Sequence, residues 1–191
     1  QVSTVLDYFA RFTARFADVC ALALAHEDEV MGLWSGLGYY TRARNLHRCA
    51  QAVVAQHGGR FPRDAATLAT LPGIGRSTAS AIASICFGER VAILDANVKR
   101  VVSRVFAFAG DLSQAKQERA LWALAEQLLP AEAQASTQMA RYTQGMMDMG
   151  ATLCTPKNPQ CARCPVRALC QGAEADPTLF PVRSRKLKRS S

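Results

Sequence analysis

The chain has 191 residues, 49% hydrophobic and 20% charged, a balance that excludes disorder along its whole length. Its longest apolar run, Val19 to Ala25, is seven residues, too short to cross a bilayer, and no basic stretch leads into it as in a signal peptide. The net charge is +8, but Arg183, Arg185, Lys186, Lys188 and Arg189 supply five of those charges within the last nine residues, leaving a body of only about +3.

The chain opens on Gln1 and is expected to be a piece of something longer. From there the pattern is helical, with nothing alternating at period two. Val5, Leu6, Phe9, Phe12 and Phe16 form the first apolar stripe, and Gly36 and Gly38 mark a turn. Leu46, Cys49, Ala50, Val53 and Val54 form the second stripe, surrounded by Arg42, Arg44 and Arg48 and closed by Gly58-Gly59. Helical segments are expected at roughly Asp64 to Thr70 and Arg76 to Phe87, with Pro72-Gly73 and Gly75 between them.

Val98, Val101, Val102, Val105 and Phe106 recur at steps of three and four, which predicts Lys99, Arg100 and Arg104 on the outward face. After the Gly110-Asp111 turn, Ser113 is the expected cap for a helix carrying Ala120, Leu121, Leu124 and Leu128. A further helix is expected from about Ser136 to Leu153, and after Gly172 a linker. The fold class is all-α, with about nine or ten short helices.

Seven cysteines divide into two groups. Cys20, Cys49 and Cys86 are scattered among apolar neighbours and are expected to be buried thiols. Cys154, Cys161, Cys164 and Cys170 lie within seventeen residues, with six, two and five residues between them. Four thiolates complete a tetrahedral set, so the loop suits one small metal centre, either structural zinc or an iron–sulfur cluster. Disulfides are the bland alternative, disfavoured in a chain without secretory features.

Leu71-Pro72-Gly73-Ile74-Gly75 is a glycine turn whose amides would point from the start of the following helix, where an anion such as a DNA phosphate is favoured. Taken alone, it reads more readily as an ordinary tight connection between antiparallel helices. Asp95 opens the next segment and is expected to be its N-cap. The same carboxylate could stabilise positive charge on a sugar whose glycosidic bond is breaking.

Together these features resemble the helix-hairpin-helix DNA glycosylases that carry an iron–sulfur cluster, a family of endonuclease III-like fold. The segment from Leu71 to Ala79 is similar to the family hairpin, and Asp95 stands where the family places its catalytic aspartate. Gly36-Leu37-Gly38-Tyr39-Tyr40-Thr41-Arg42-Ala43-Arg44-Asn45-Leu46, Ile93 to Arg100 and Met146 to Ala151 resemble the MutY-type adenine glycosylases, with Ala96 in place of the commoner glycine. The resemblance runs from Gln1 to about Pro181.

The resemblance implies a monofunctional glycosylase of base excision repair that removes adenine mispaired with 8-oxoguanine or guanine after flipping it from double-stranded DNA. Bifunctional relatives carry a lysine nucleophile where this chain has Ser77, so no Schiff base is expected. Asp95 and Asn97 would be catalytic. Tyr39 would wedge into the duplex, while Leu71, Gly73, Gly75, Arg76, Ser77 and Lys99 would meet DNA. Cys154, Cys161, Cys164 and Cys170 would ligate a [4Fe-4S] cluster. A pyrimidine- or thymine-mismatch glycosylase and a non-catalytic DNA-binding module are the alternatives.

Family members also have a general-acid glutamate just upstream of the segment matching Gln1-Val2, and a Nudix-like C-terminal domain that recognises 8-oxoguanine. Neither is within this sequence. Glu27 and Glu29 do not match the glutamate and are expected on a solvated helix; without a general acid the chain should lose roughly two to four powers of ten in rate. The implied lobes are 1–92, a helical barrel with the hairpin, and 93–172, with the cluster; 173–191 is a basic linker or tail. DNA would lie across the groove between the lobes, and the protein is expected to be a cytoplasmic monomer without membrane contact.

Overall fold

The structure is a computed structural model that describes residues 2–132 and 135–184. Nine α-helices and a series of short 3-10 turns make up the described residues, with no strand among them. The helices are α1 (Val2–Arg15), α2 (Val19–Leu24), α3 (Glu27–Trp34), α4 (Tyr40–His57), α5 (Ala65–Leu68), α6 (Arg76–Phe87), α7 (Ala96–Val105), α8 (Ala115–Gln127) and α9 (Ala135–Thr152). Among the described residues no helix is long and apolar enough to cross a membrane. The basic run beyond Ser184 lies outside the described residues.

The chain divides into two compact units, 1–75 and 76–191. The resemblance implies lobes of 1–92 and 93–172; by contacts the chain divides between Gly75 and Arg76, at the end of the glycine turn, and α6 packs on α9 of the second unit.

In the first unit α4 is the central helix and packs against α2 and α3. Phe16, Leu22, Val30 and Ala50 form a buried cluster, with Phe12 edge-on to Phe16 at 4.9 Å. The first apolar stripe is only partly used. Phe16 is buried, whereas Val5, Leu6 and Phe9 are exposed. Glu27 and Glu29, in the first turn of α3, pair with Arg44 and Arg15, so the expectation of a solvated acidic turn holds.

In the second unit α7 and α9 cross with α6 and α8 around Ile93, Leu94, Val98, Val101, Val102, Leu121, Trp122 and Met146. Gly150 permits the crossing of α7 and α9: a Cβ there would come within 2.7 Å of the Asn97 Cβ. Ser113 does not cap α8. Its hydroxyl donates to Asp111, and Gln114 takes the N-cap position without a side-chain bond. Two of the three scattered cysteines also depart from expectation: Cys49 is buried, but Cys20 and Cys86 are exposed.

The segment after the cysteine loop is fastened to this unit. Leu112 N–H donates to Val182 O at 3.0 Å, and the Ser184 amide and hydroxyl both donate to Asp111. The Ser184 hydroxyl, followed by the Ser113 and Ser184 amides, holds the Asp111 carboxyl well below the usual carboxylate range.

Candidate nucleic-acid and cluster sites

Four sequence-predicted residues stand in the first unit: Tyr39, Leu71, Gly73 and Gly75. Tyr39 adopts the left-handed region, φ 50°, at the start of α4, and the residue is 81% exposed. A tyrosine held at positive φ with its ring in solvent is unusual and suits a side chain that packs on something other than its own chain. Leu71 is only 3% exposed, so its side chain packs the core and is not available to DNA.

Gly73 and Gly75 differ in a way that separates folding from binding. Gly73 has φ +77°, and a Cβ there would come within 2.6 Å of the Asn45 Cβ. Gly75 has an ordinary φ and open space around its missing side chain. We expect Gly73→Ala to cost about 2–3 kcal/mol of stability. Gly75→Ala should change stability by at most about 1 kcal/mol and instead weaken duplex binding, because the added methyl stands where a phosphate would approach. Thermal melting and duplex titration of both variants check this; equal losses of stability would refute the distinction.

In the second unit the start of α6 is tied to α8. Arg76 lies 3.8 Å over the Trp122 ring and pairs with Glu126 at 3.1 Å. Lys99 pairs with Glu118. Glu118, Trp122 and Glu126 follow one face of α8 at four-residue spacing. Both cations assigned to DNA by the resemblance are therefore held by α8 carboxylates, partners that motif reading did not find.

Asp95 is the N-cap of α7, as its position predicts. Its Oδ1 accepts the Val98 N–H at 2.7 Å, and Oδ2 carries no hydrogen bond among the described residues. The carboxylate starts the helix, and its charge also acts on Arg100. Asp95 lines a cavity of about 250 Å³ with Leu94, Ala96, Lys99, Leu112, Glu118, Pro181 and Arg183. Asn97 does not line it; its Oδ1 accepts from Arg100 at 2.9 Å instead. Ser77 is also near, its Oγ accepting the Leu94 N–H at 3.0 Å.

All four clustered cysteines line one pocket, together with Arg104, Leu153, Pro159, Gln160, Arg167, Ala173 and Pro177. Among the described residues no three Cys, His, Asp or Glu side chains are close enough to hold a single metal ion. Four thiols around one pocket fit a metal centre with thiolate ligands. Burial pushes the Cys170 thiol up, so a free thiolate there is costly and a cationic metal core compensates it.

The outward face predicted for Arg100 and Arg104 is wrong for both, which are 9% and 2% exposed. Arg100 donates to Cys154 O and Gly150 O, each at 2.6 Å, as well as to Asn97. Burial pushes its guanidinium down, and the nearby Cys154 and Asp95 charges oppose that shift. Arg104 donates to Cys154 Sγ at 3.3 Å, Thr155 O at 2.8 Å, Pro156 O at 3.0 Å and Phe180 O at 3.2 Å. A buried cation is tolerated only with such partners. Both arginines fasten the cysteine loop to the helix that Asp95 begins. Gly172 completes the packing: a Cβ there would come within 2.5 Å of Arg104 O.

Comparison with known proteins agrees with this geometry. Residues 1–127 match the model of the HhH-GPD superfamily base excision DNA repair proteins, and residues 154–170 match the iron–sulfur binding domain of endonuclease III. The cofactor is accordingly a [4Fe-4S] cluster. The chain is 43% identical over 175 residues to adenine DNA glycosylase of Homo sapiens, covering 91% of this chain and 31% of the relative. It is 38% identical over 186 residues to that of Buchnera aphidicola subsp. Schizaphis graminum, covering 97% and 52%. The chain thus spans about a third to a half of the curated relatives' length. The solved structure of a thermostable thymine-DNA glycosylase matches with TM-score 0.75 and 29% identity, covering 89% of this chain and 76% of that one. A non-covalent endonuclease III–DNA complex matches in fold with TM-score 0.72 at 23% identity, covering 91% and 78%.

Proposed function

The chain belongs to the HhH-GPD superfamily of base excision DNA repair proteins, and we propose that it is the glycosylase part of an adenine-specific repair enzyme. It hydrolyses the bond between deoxyribose and an adenine mispaired with 8-oxoguanine or guanine, acting as a monomer on double-stranded DNA. The observation that carries this reading is Asp95, a carboxylate that caps α7 and lines a cavity of about 250 Å³.

The roles follow from the chemistry. The adenine is extruded because its glycosidic bond is out of reach inside the stack. Tyr39, exposed at the head of α4, fills the space left in the duplex. The amides around Gly73 and Gly75 hold the strand backbone. The Asp95 carboxylate stabilises the positive charge that develops on the sugar as the base departs. Asn97 acts at one remove, by orienting Arg100 against the cysteine loop.

Ser77 has no amine to attack the sugar, so the product is an intact abasic site with no strand cleavage. Cys154, Cys161, Cys164 and Cys170 hold the cluster. When bound, it cross-links a loop that is otherwise built of isolated 3-10 turns.

The likeness to a thymine-DNA glycosylase supports a second reading, a pyrimidine-mismatch enzyme on the same scaffold. Single-turnover base release from duplexes carrying adenine opposite 8-oxoguanine and thymine opposite guanine distinguishes the two. Adenine release alone is expected; thymine release alone would replace the first reading with the second.

A further inference from the structure

Ser77 occupies the place of the lyase nucleophile, yet its hydroxyl is engaged. Its Oγ accepts the N–H of Leu94 at 3.0 Å, across seventeen positions of sequence, and Leu94 is the residue that delivers the chain into Asp95. Ala92, Ile93 and Leu94 are 5%, 3% and 2% exposed, so this run is gripped by the core of the second unit. Apolar contact holds a segment in place but does not set its rotation about the chain axis. A hydrogen bond is directional and does. The Ser77 bond fixes the peptide plane entering Asp95, as the cap to Val98 fixes the carboxylate leaving it. Ser77 is itself firmly placed, because the neighbouring Arg76 stacks on Trp122 and pairs with Glu126.

We propose that Ser77 is a positioning residue, whose hydroxyl, through the Leu94 amide, aims the Asp95 carboxylate at the cationic sugar. The inference rests on the reading of Asp95 as the charge-stabilising carboxylate. It gives the serine a function of its own at a place where the absent lysine would otherwise suggest only a loss.

The test uses binding rather than turnover. Two duplexes are compared opposite 8-oxoguanine, one carrying a protonated pyrrolidine in place of the deoxyribose and one a neutral tetrahydrofuran. The ratio of their dissociation constants reports how well a carboxylate is aimed at the sugar's charge. The wild-type chain is expected to favour the cation by roughly tenfold or more. Ser77→Ala should lose most of that ratio, whatever its tetrahydrofuran affinity, and amide exchange at Leu94 should quicken.

Ser77→Thr, which keeps the acceptor, should retain the ratio. Ser77→Val, of the same shape without the acceptor, should lose it, and this pair decides the matter if the alanine variant folds poorly. A full ratio in Ser77→Val, or an equal loss of both affinities, overturns the proposal and leaves Asp95 untouched. An undiminished ratio in Asp95→Asn, or no preference in the wild type, would instead remove the reading of Asp95, and the role of Ser77 with it.

Discussion

Asp95→Asn is expected to lower single-turnover adenine release by about 10²–10³ while leaving duplex affinity within a few-fold of wild type. The substitution is informative because asparagine is nearly the same size and remains a strong N-cap. Its side-chain oxygen can still accept the Val98 N–H, so α7 starts where it did and the crossing with α9 is undisturbed. What disappears is the negative charge of the carboxylate. Asp95→Ala mixes two effects, because it also removes the cap and costs about 1 kcal/mol of stability. Release and binding measured on the same duplex separate the outcomes. A protein that only binds DNA would be indifferent to the asparagine variant, and an undiminished rate would remove Asp95 from the mechanism.

The largest structural effect is expected at Arg104, a side chain that periodicity assigned to solvent. Arg104→Met keeps much of the apolar stem but removes every donor. Three backbone carbonyls, those of Thr155, Pro156 and Phe180, lose their bonds together with Cys154 Sγ. Orphaned acceptors cost up to about 1–3 kcal/mol each where water cannot reach them; these are only part-buried and water recovers part of that, so a loss of roughly 3–5 kcal/mol is expected.

The damage should be local at first. The cysteine loop rests on α7 through the two arginines and the contact at Gly172, whereas the helices of the first unit have their own core. Proteolysis should therefore cut within 154–173 before it cuts elsewhere, and iron content should fall. A variant that keeps both its iron and its melting temperature would show that the cluster alone orders the loop. A peripheral control is Arg76→Met, whose ion pair is more than half exposed on both sides and is worth at most about 1 kcal/mol.

Much of the candidate site was legible because it is written in short-range chemistry. An aspartate before an apolar helix reads as a cap, and Asp95 is one, within three residues of the amide it holds. Two glycines in a turn of five residues read as a close backbone approach, and Gly73 needs its lack of a side chain. Four cysteines within seventeen residues read as a metal loop, and all four line one pocket. Residues this near in sequence meet however the rest of the chain folds.

The errors fell where partners come from far along the chain. Periodicity treats a charged residue as a solvent-facing one, so it placed Arg100 and Arg104 outward. Their acceptors lie at Gly150, Cys154, Thr155, Pro156 and Phe180, fifty residues and more away. The same holds for Lys99, Arg76 and Ser77, whose partners Glu118, Glu126 and Leu94 are supplied by other segments. Sequence by itself determined the helices, the glycine turn, the cap and the composition of the metal loop, since local spacing decides those. Only the tertiary structure decided which charges are buried and what holds the approach to Asp95. A buried polar group is stable only beside a partner, and that partner is brought by the fold.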